Sequence, residues 1–155
     1  MKKLVNLLVM AVTMIVVGTS CSSDDDEFKS KVPVFSDITA DRDVIYEGQE
    51  VTFTAVQQKK GEYIYNAKYE WYADETEIGN YSVVYDKNTS NPSYKIKPSA
   101  PGRLSVKLVA IYYFSGKASN GSQSGKIGNM TVTSDWYPLK GTVTLKKDFN
   151  VYPKL

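Results

Sequence analysis

Between Tyr63 and Asp74 the chain alternates with a period of two. Tyr63, Tyr65, Ala67, Tyr69, Trp71 and Ala73 fall on one side, and Asn66, Lys68, Glu70 and Asp74 on the other, with Ile64 and Tyr72 out of step. A helix would scatter these residues around its circumference, whereas a strand sends successive side chains to opposite faces. One half-buried strand cannot stand alone. It needs paired neighbours and a second layer over its apolar side.

The rest of the chain offers both. Glu50 to Val56 sets Val51, Phe53 and Ala55 against Thr52 and Thr54, again the pattern of a half-buried strand. Arg103 to Phe114 is the longest such run, with Leu104, Val106, Leu108, Ala110 and Tyr112 on one face. Past Leu108 both of its faces are apolar, which predicts a central strand. Val34 to Ala40 forms a first strand, continued by Val44-Ile45-Tyr46 after a break at Asp41-Arg42-Asp43. Tyr81 to Tyr85 follows a turn at Gly79-Asn80. Tyr94, Ile96 and Pro98 alternate with polar residues between flanking prolines, which suit a strand end or edge. Ser115 to Gly125, rich in Gly, Ser and Asn, is expected as an exposed hairpin tip, with Ile127 to Thr133 as the return strand. No stretch downstream of residue 21 carries helical periodicity. The expectation is an all-β, antiparallel sandwich of about seven strands over residues 34–133, with Trp71 in the core. Residues 134–155 are expected as an extra C-terminal strand or hairpin of the same domain, Gly141 to Leu145 pairing with Phe149 to Tyr152.

Ahead of this domain lies a different kind of sequence. Lys2 and Lys3 precede an almost unbroken apolar run from Leu4 to Val17, then the small residues Gly18-Thr19-Ser20 and Cys21. Charged, apolar, small is the order of a secretory signal, and the run is shorter than the roughly 20 residues a membrane-spanning helix needs. The ending on Cys21 resembles the lipobox of bacterial lipoproteins. That resemblance implies removal of residues 1–20 and a diacylglycerol on the Cys21 thiol. Palmitate or a similar acyl chain would then be added at the new amino terminus. Two or three acyl chains hold a protein on a bilayer where one holds it only marginally. Ser23-Asp24-Asp25-Asp26-Glu27 resembles the export signal of Bacteroidetes-type surface lipoproteins. It implies an outer-membrane location facing the exterior, with residues 21–33 as an acidic tether. A run of like charges also keeps a chain extended for purely physical reasons.

Composition narrows the chemistry. The chain has 19 basic and 17 acidic residues. Losing Lys2 and Lys3 with the leader makes the counts equal, so nothing favours binding to nucleic acid phosphates. There is no histidine, and Cys21 is the sole cysteine. Imidazole-based triads, the usual zinc sites, disulfides and thiolate catalysis therefore lack their residues. No glycine-rich phosphate loop is present, and no cofactor is expected.

Three segments in order resemble PKD-like domains of the immunoglobulin-like group. They are Glu47 to Thr54, entering a strand through a turn; Tyr69 to Asp74, carrying the core tryptophan; and Pro101 to Leu108, entering a late strand through Pro-Gly. Where that family has a Gly-Asp-Gly-like turn, this chain reads Asp74-Glu75-Thr76-Glu77-Ile78-Gly79. The resemblance implies a binding module or a spacer in a surface protein.

Twelve tyrosines stand out. Tyrosine suits a pleated half-buried surface, and it also serves ligand faces with a large rigid ring and a hydroxyl. Tyr72, Tyr113, Trp136 and Tyr137 fall outside the core pattern and are the candidate binding residues for a glycan or protein partner. Asp74, Glu75, Glu77 and Asp86 offer oxygen ligands for calcium, but their spacing fits no EF-hand loop and solvated turn acids are the simpler reading. Asp74 and Glu77 as an acid–base pair would make an enzyme, a reading no predicted cleft supports. The reading carried forward is a lipid-anchored binding or adhesion module, possibly an accessory subunit of a surface complex, against a purely structural spacer.

Overall fold

The computed structural model describes residues 29–115, 117–118, 124–127, 130–137 and 139–154, with the backbone alone for 29, 117–118, 124, 126–127 and 132–137. The leader, Cys21 and the acids Ser23 to Glu27 lie outside the described residues. The described residues form twelve strands and no helix. In chain order these are β1 (Lys29–Ser30), β2 (Val34–Ala40), β3 (Ile45–Tyr46), β4 (Val51–Lys59), β5 (Ile64–Ala73) and β6 (Thr76–Val84). They continue with β7 (Ser93–Ile96), β8 (Gly102–Phe114), β9 (Lys117–Ala118), β10 (Ser124–Ile127), β11 (Met130–Tyr137) and β12 (Lys140–Tyr152).

Two sheets make an antiparallel immunoglobulin-like sandwich. The larger runs β10-β11-β12-β8-β5-β6, with β3 beside the far end of β12; the smaller runs β2-β4-β7. A short parallel pair, β1 with β9, stands apart. The core lies between the sheets. Trp71, Tyr69, Tyr112, Phe53, Leu108 and Leu145 are fully buried there. Trp71 stacks on Tyr94 of β7 across the layers, ring centroids 6.4 Å apart. Phe53 of β4 meets Phe149 of β12 edge-on at 4.8 Å. The alternation of β8 is observed as predicted: Leu104, Val106, Leu108, Ala110, Tyr112 and Phe114 all point inward. That strand is central, between β5 and β12.

Several local expectations are corrected. The strand that returns along β8 is β12, paired over twelve positions from Lys140↔Tyr113 to Val151↔Gly102; residues 127–133 divide between β10 and β11, further out in the sheet. Residues 140–152 are one continuous strand, not a hairpin appended to the core. Their buried Val143, Leu145 and Val151 complete the inner face. Val44-Ile45-Tyr46 does not continue β2. After the exposed Asp41 to Val44 the chain changes sheets, and Ile45 and Tyr46 pair in parallel with Val151 and Tyr152. The segment thereby extends the large sheet beside the far end of β12.

The predicted turn at Gly79-Asn80 is strand. The actual turn is Asp74-Glu75, both with positive φ (48° and 67°), as a two-residue hairpin turn of the primed type requires. Gly79 serves a close approach instead, since a Cβ there would collide with the Tyr94 ring end. The alternation of β5 also breaks once. A register shift between Ile64 and Asn66 against β8 buries Ile64 and turns Tyr65 outward, 54% exposed. This bulge explains why Ile64 was out of step in sequence.

Candidate binding face

The outer face of the large sheet carries the candidate residues that the structure describes. Across β5, β8 and β12 the registers align Asn66–Tyr113–Lys140, Lys68–Ile111–Thr142, Glu70–Val109–Thr144 and Tyr72–Lys107–Lys146. All of these residues are half-buried in one another's side chains. Val109 and Ile111 form an apolar centre. Lys68 pairs with Glu70 at 2.8 Å beside it, which holds the Lys68 ammonium above its ordinary pKa.

Tyr72 and Tyr113 share this face but lie at its two ends. Lys107, the partner of Tyr72, stands six residues from Tyr113 along β8, or about 20 Å. The ring of Tyr72 is covered by Lys107, whose Nζ sits 4.4 Å from its centroid. Its hydroxyl donates to Glu70 Oε2 at 3.3 Å. Burial, and then the Glu70 carboxylate, raise that hydroxyl's pKa. Tyr113 instead leans against Tyr65, centroids 6.3 Å apart. Trp136 and Tyr137 belong to β11, where the backbone registers Tyr137 with Lys140 and Trp136 with Gly141. Tyr137 is thus in line with Tyr113, about 10 Å away by strand spacing. The side chains of Trp136 and Tyr137 are outside the described residues.

Sequence reasoning missed Tyr65, Val109 and Ile111 as parts of this face. The apolar outer side of β8 beyond Leu108 was the available signal for Val109 and Ile111. Tyr65 had none, because the bulge that exposes it depends on pairing with β8. The remaining tyrosines divide as a sandwich divides any amphipathic residue. Tyr69, Tyr85 and Tyr112 are buried, and burial pushes the hydroxyls of Tyr69 and Tyr112 well up.

The four candidate acids are not one site. Asp74 accepts from Ser105 N at 2.8 Å and donates its own N–H back to Ser105 O at 2.9 Å, tying the hairpin turn to β8. Glu75 reaches between Lys107 and Lys146 and pairs with both. Those lysines stand directly opposite each other, an arrangement of like charges that is unfavourable without a counterion. The two ammonium groups hold the Glu75 carboxyl at about 2. Glu77 Oε1 accepts from Asn80 at 2.7 Å. Asp86, beyond the other end of β6, organises its own loop through Asn88 N at 2.7 Å and Thr89. Each carboxylate is therefore bonded to a different partner set, and the described residues bring no three acidic groups together. A hollow of about 390 Å³ lies beside the β2–β3 crossing, lined by Arg42, Asp43, Asp148 and Phe149 among others. Lys147 on its wall is committed to Asp37 Oδ1 at 2.6 Å and Ile38 O at 2.8 Å.

Compared with protein-family models, with curated proteins and with solved structures, the chain finds no match in any of the three.

Proposed function

We propose that the protein is a lipid-anchored binding module of the outer membrane, held through Cys21, directed outward by Ser23 to Glu27, and engaging a glycan or protein through the outer face of its large sheet. The observation that carries this reading is the face itself. Val109 and Ile111 form an apolar centre between Tyr72 and Tyr113, with charged residues around them and, among the described residues, no element packed over it. An apolar middle inside a polar rim is the make-up of a recognition surface. A binding rather than catalytic role is supported by the four candidate acids, already engaged with a turn (Asp74), a lysine pair (Glu75), Asn80 (Glu77) and a loop (Asp86).

The test compares wild type with Ile111→Lys and Tyr113→Ala. Each protein is probed on a glycan array and used, with a C-terminal affinity tag, to recover partners from outer-membrane extracts. Loss of a wild-type ligand in both variants, with the unfolding transition intact, supports the face. A ligand retained by both variants would refute it. A wild type that binds nothing in either format would favour the spacer.

A further inference from the structure

Among the described residues six large apolar side chains are well exposed, and four of them crowd one end of the sandwich: Val84 at 82%, Leu139 at 65%, Tyr65 at 54% and Tyr63 at 40%. Hydrogen bonds place them together. Tyr85 N donates to Tyr65 O, Ser115 N to Tyr63 O, and Phe114 N to Leu139 O. They span the width from β6 to β12, three strand spacings or about 14 Å.

The same end is basic. Lys59, Lys60 and Lys87 are exposed there and Lys140 is half-exposed. Lys60 reaches the Thr89 carbonyl of the neighbouring loop, and Lys31 pairs with Glu62 at 3.1 Å. Glu62 and Asp86 are the acids among them. The opposite end has no such excess: Asp41, Asp43, Glu47, Glu50, Asp74 and Glu75 surround the turns there, but Arg42, Lys95, Lys97, Arg103 and Lys154 are exposed among them, and Lys107 and Lys146 pair with Glu75.

It is also the end where the chain enters from Cys21. Lys31 exchanges backbone hydrogen bonds with Glu62 at 2.8 and 3.1 Å, and Ser30 Oγ donates to Tyr63 O. Eight residue steps separate Cys21 from Lys29, a reach of at most about 27 Å. The sandwich is longer than that reach: β8 alone has 13 residues, or about 43 Å.

We propose that this end is a membrane-apposed surface, resting on the phospholipid headgroups around the anchor and holding the domain upright. The inference rests on the anchored reading above. Tyrosine suits a headgroup layer because its ring is apolar and its hydroxyl stays wet. Lysines gain from an anionic lipid surface within a Debye length, and binding of this kind grows with apolar area and charge together. An upright domain leaves the part of the candidate face from Ile111 to Tyr72 clear of the membrane, with Tyr65, Tyr113 and Lys140 at its lower margin.

The protein contains no other cysteine, so once Cys21 is lipidated an introduced cysteine is the single free thiol. Val84→Cys at the basic end and Val44→Cys at the opposite end are each given a nitroxide. The processed, lipid-bearing proteins are placed on vesicles of mixed zwitterionic and anionic phospholipid. Collision rates are measured with oxygen, which concentrates in the bilayer, and with a water-soluble nickel chelate. The expected result is an oxygen-to-nickel ratio several-fold higher at residue 84 than at residue 44. It should fall when Lys59, Lys60 and Lys87 are changed to Glu. Equal, water-like ratios at both sites on vesicle-bound protein overturn the apposition and leave the anchor standing. Protein that does not stay with the vesicles overturns both.

Discussion

Gly79 lies inside β6, opposite Trp71 of β5, and its lack of a side chain makes room for Tyr94. A Cβ at this position would meet Tyr94 Oη and lie 2.5 Å from its Cζ, far inside contact distance. Tyr94 is itself engaged. Its hydroxyl donates to Ile78 O at 3.0 Å and its ring stacks on Trp71. In Gly79→Ala the ring must swing aside. That forfeits a hydrogen bond of about 1 kcal/mol and an aromatic contact of about 0.5–1.5 kcal/mol. Against this stands the ordinary gain of about 0.5–1 kcal/mol for replacing a strand glycine by alanine. The net expectation is a loss of about 0.5–2 kcal/mol, read by urea unfolding with tryptophan fluorescence as the signal. The second half of a double-mutant cycle supplies the control. In a Tyr94→Leu background the obstruction is gone, so the same Gly79→Ala change should be neutral or stabilising. A glycine needed for a turn would instead show the same loss in both backgrounds. That result, or no loss in the wild-type background, would refute the close-approach account.

Three further outcomes follow from the packing. Ending the chain after Thr133 removes Val143, Leu145 and Val151 from the core. At about 1.5–3 kcal/mol for each buried side chain, the total of about 4.5–9 kcal/mol is comparable to the whole stability of many domains, so the cooperative thermal transition seen by circular dichroism should disappear. Lys147→Ala removes a donor from the Ile38 carbonyl and leaves the Asp37 carboxylate with the Ile38 N–H, and should lower stability by about 1 kcal/mol in urea. Asp37→Ala should cost less, because Ile38 O still accepts from Lys147. For Glu75, the folded carboxyl at about 2 lies below its unfolded value. Its contribution is therefore present above the ordinary carboxylate range and is lost as pH falls toward 2. A carbon-detected NMR titration should place its midpoint near 2, and Glu75→Gln should flatten the acid limb of the stability profile.

The sandwich was legible because period-two alternation is a local property. Val51, Phe53 and Ala55, or Leu104 through Tyr112, declare which side of their own strand is wet whatever the partner. Trp71 followed from the same count. Tyr72 was recognisable as outside the core because it broke the pattern, and Val109 and Ile111 left a trace in the doubled apolarity of β8. The expectation of a leader ending at Cys21 rests likewise on local sequence alone, and it concerns residues outside the described ones.

Partners and register belong to the tertiary structure. Alternation does not say which strand lies beside β8, so residues 127–133 and 140–152 were equally acceptable neighbours until hydrogen bonding across the sheet chose the latter. It does not anticipate the bulge that turns Tyr65 out, since an extra residue is inserted only relative to a partner strand. Nor can it tell a glycine that bends the chain from one that admits a tyrosine ring from the opposite layer. Each strand's own alternation sorts its residues into inward and outward. The pairing of distant strands, which must satisfy every buried backbone group while closing two layers, decides which inward residues meet and which outward ones share a face.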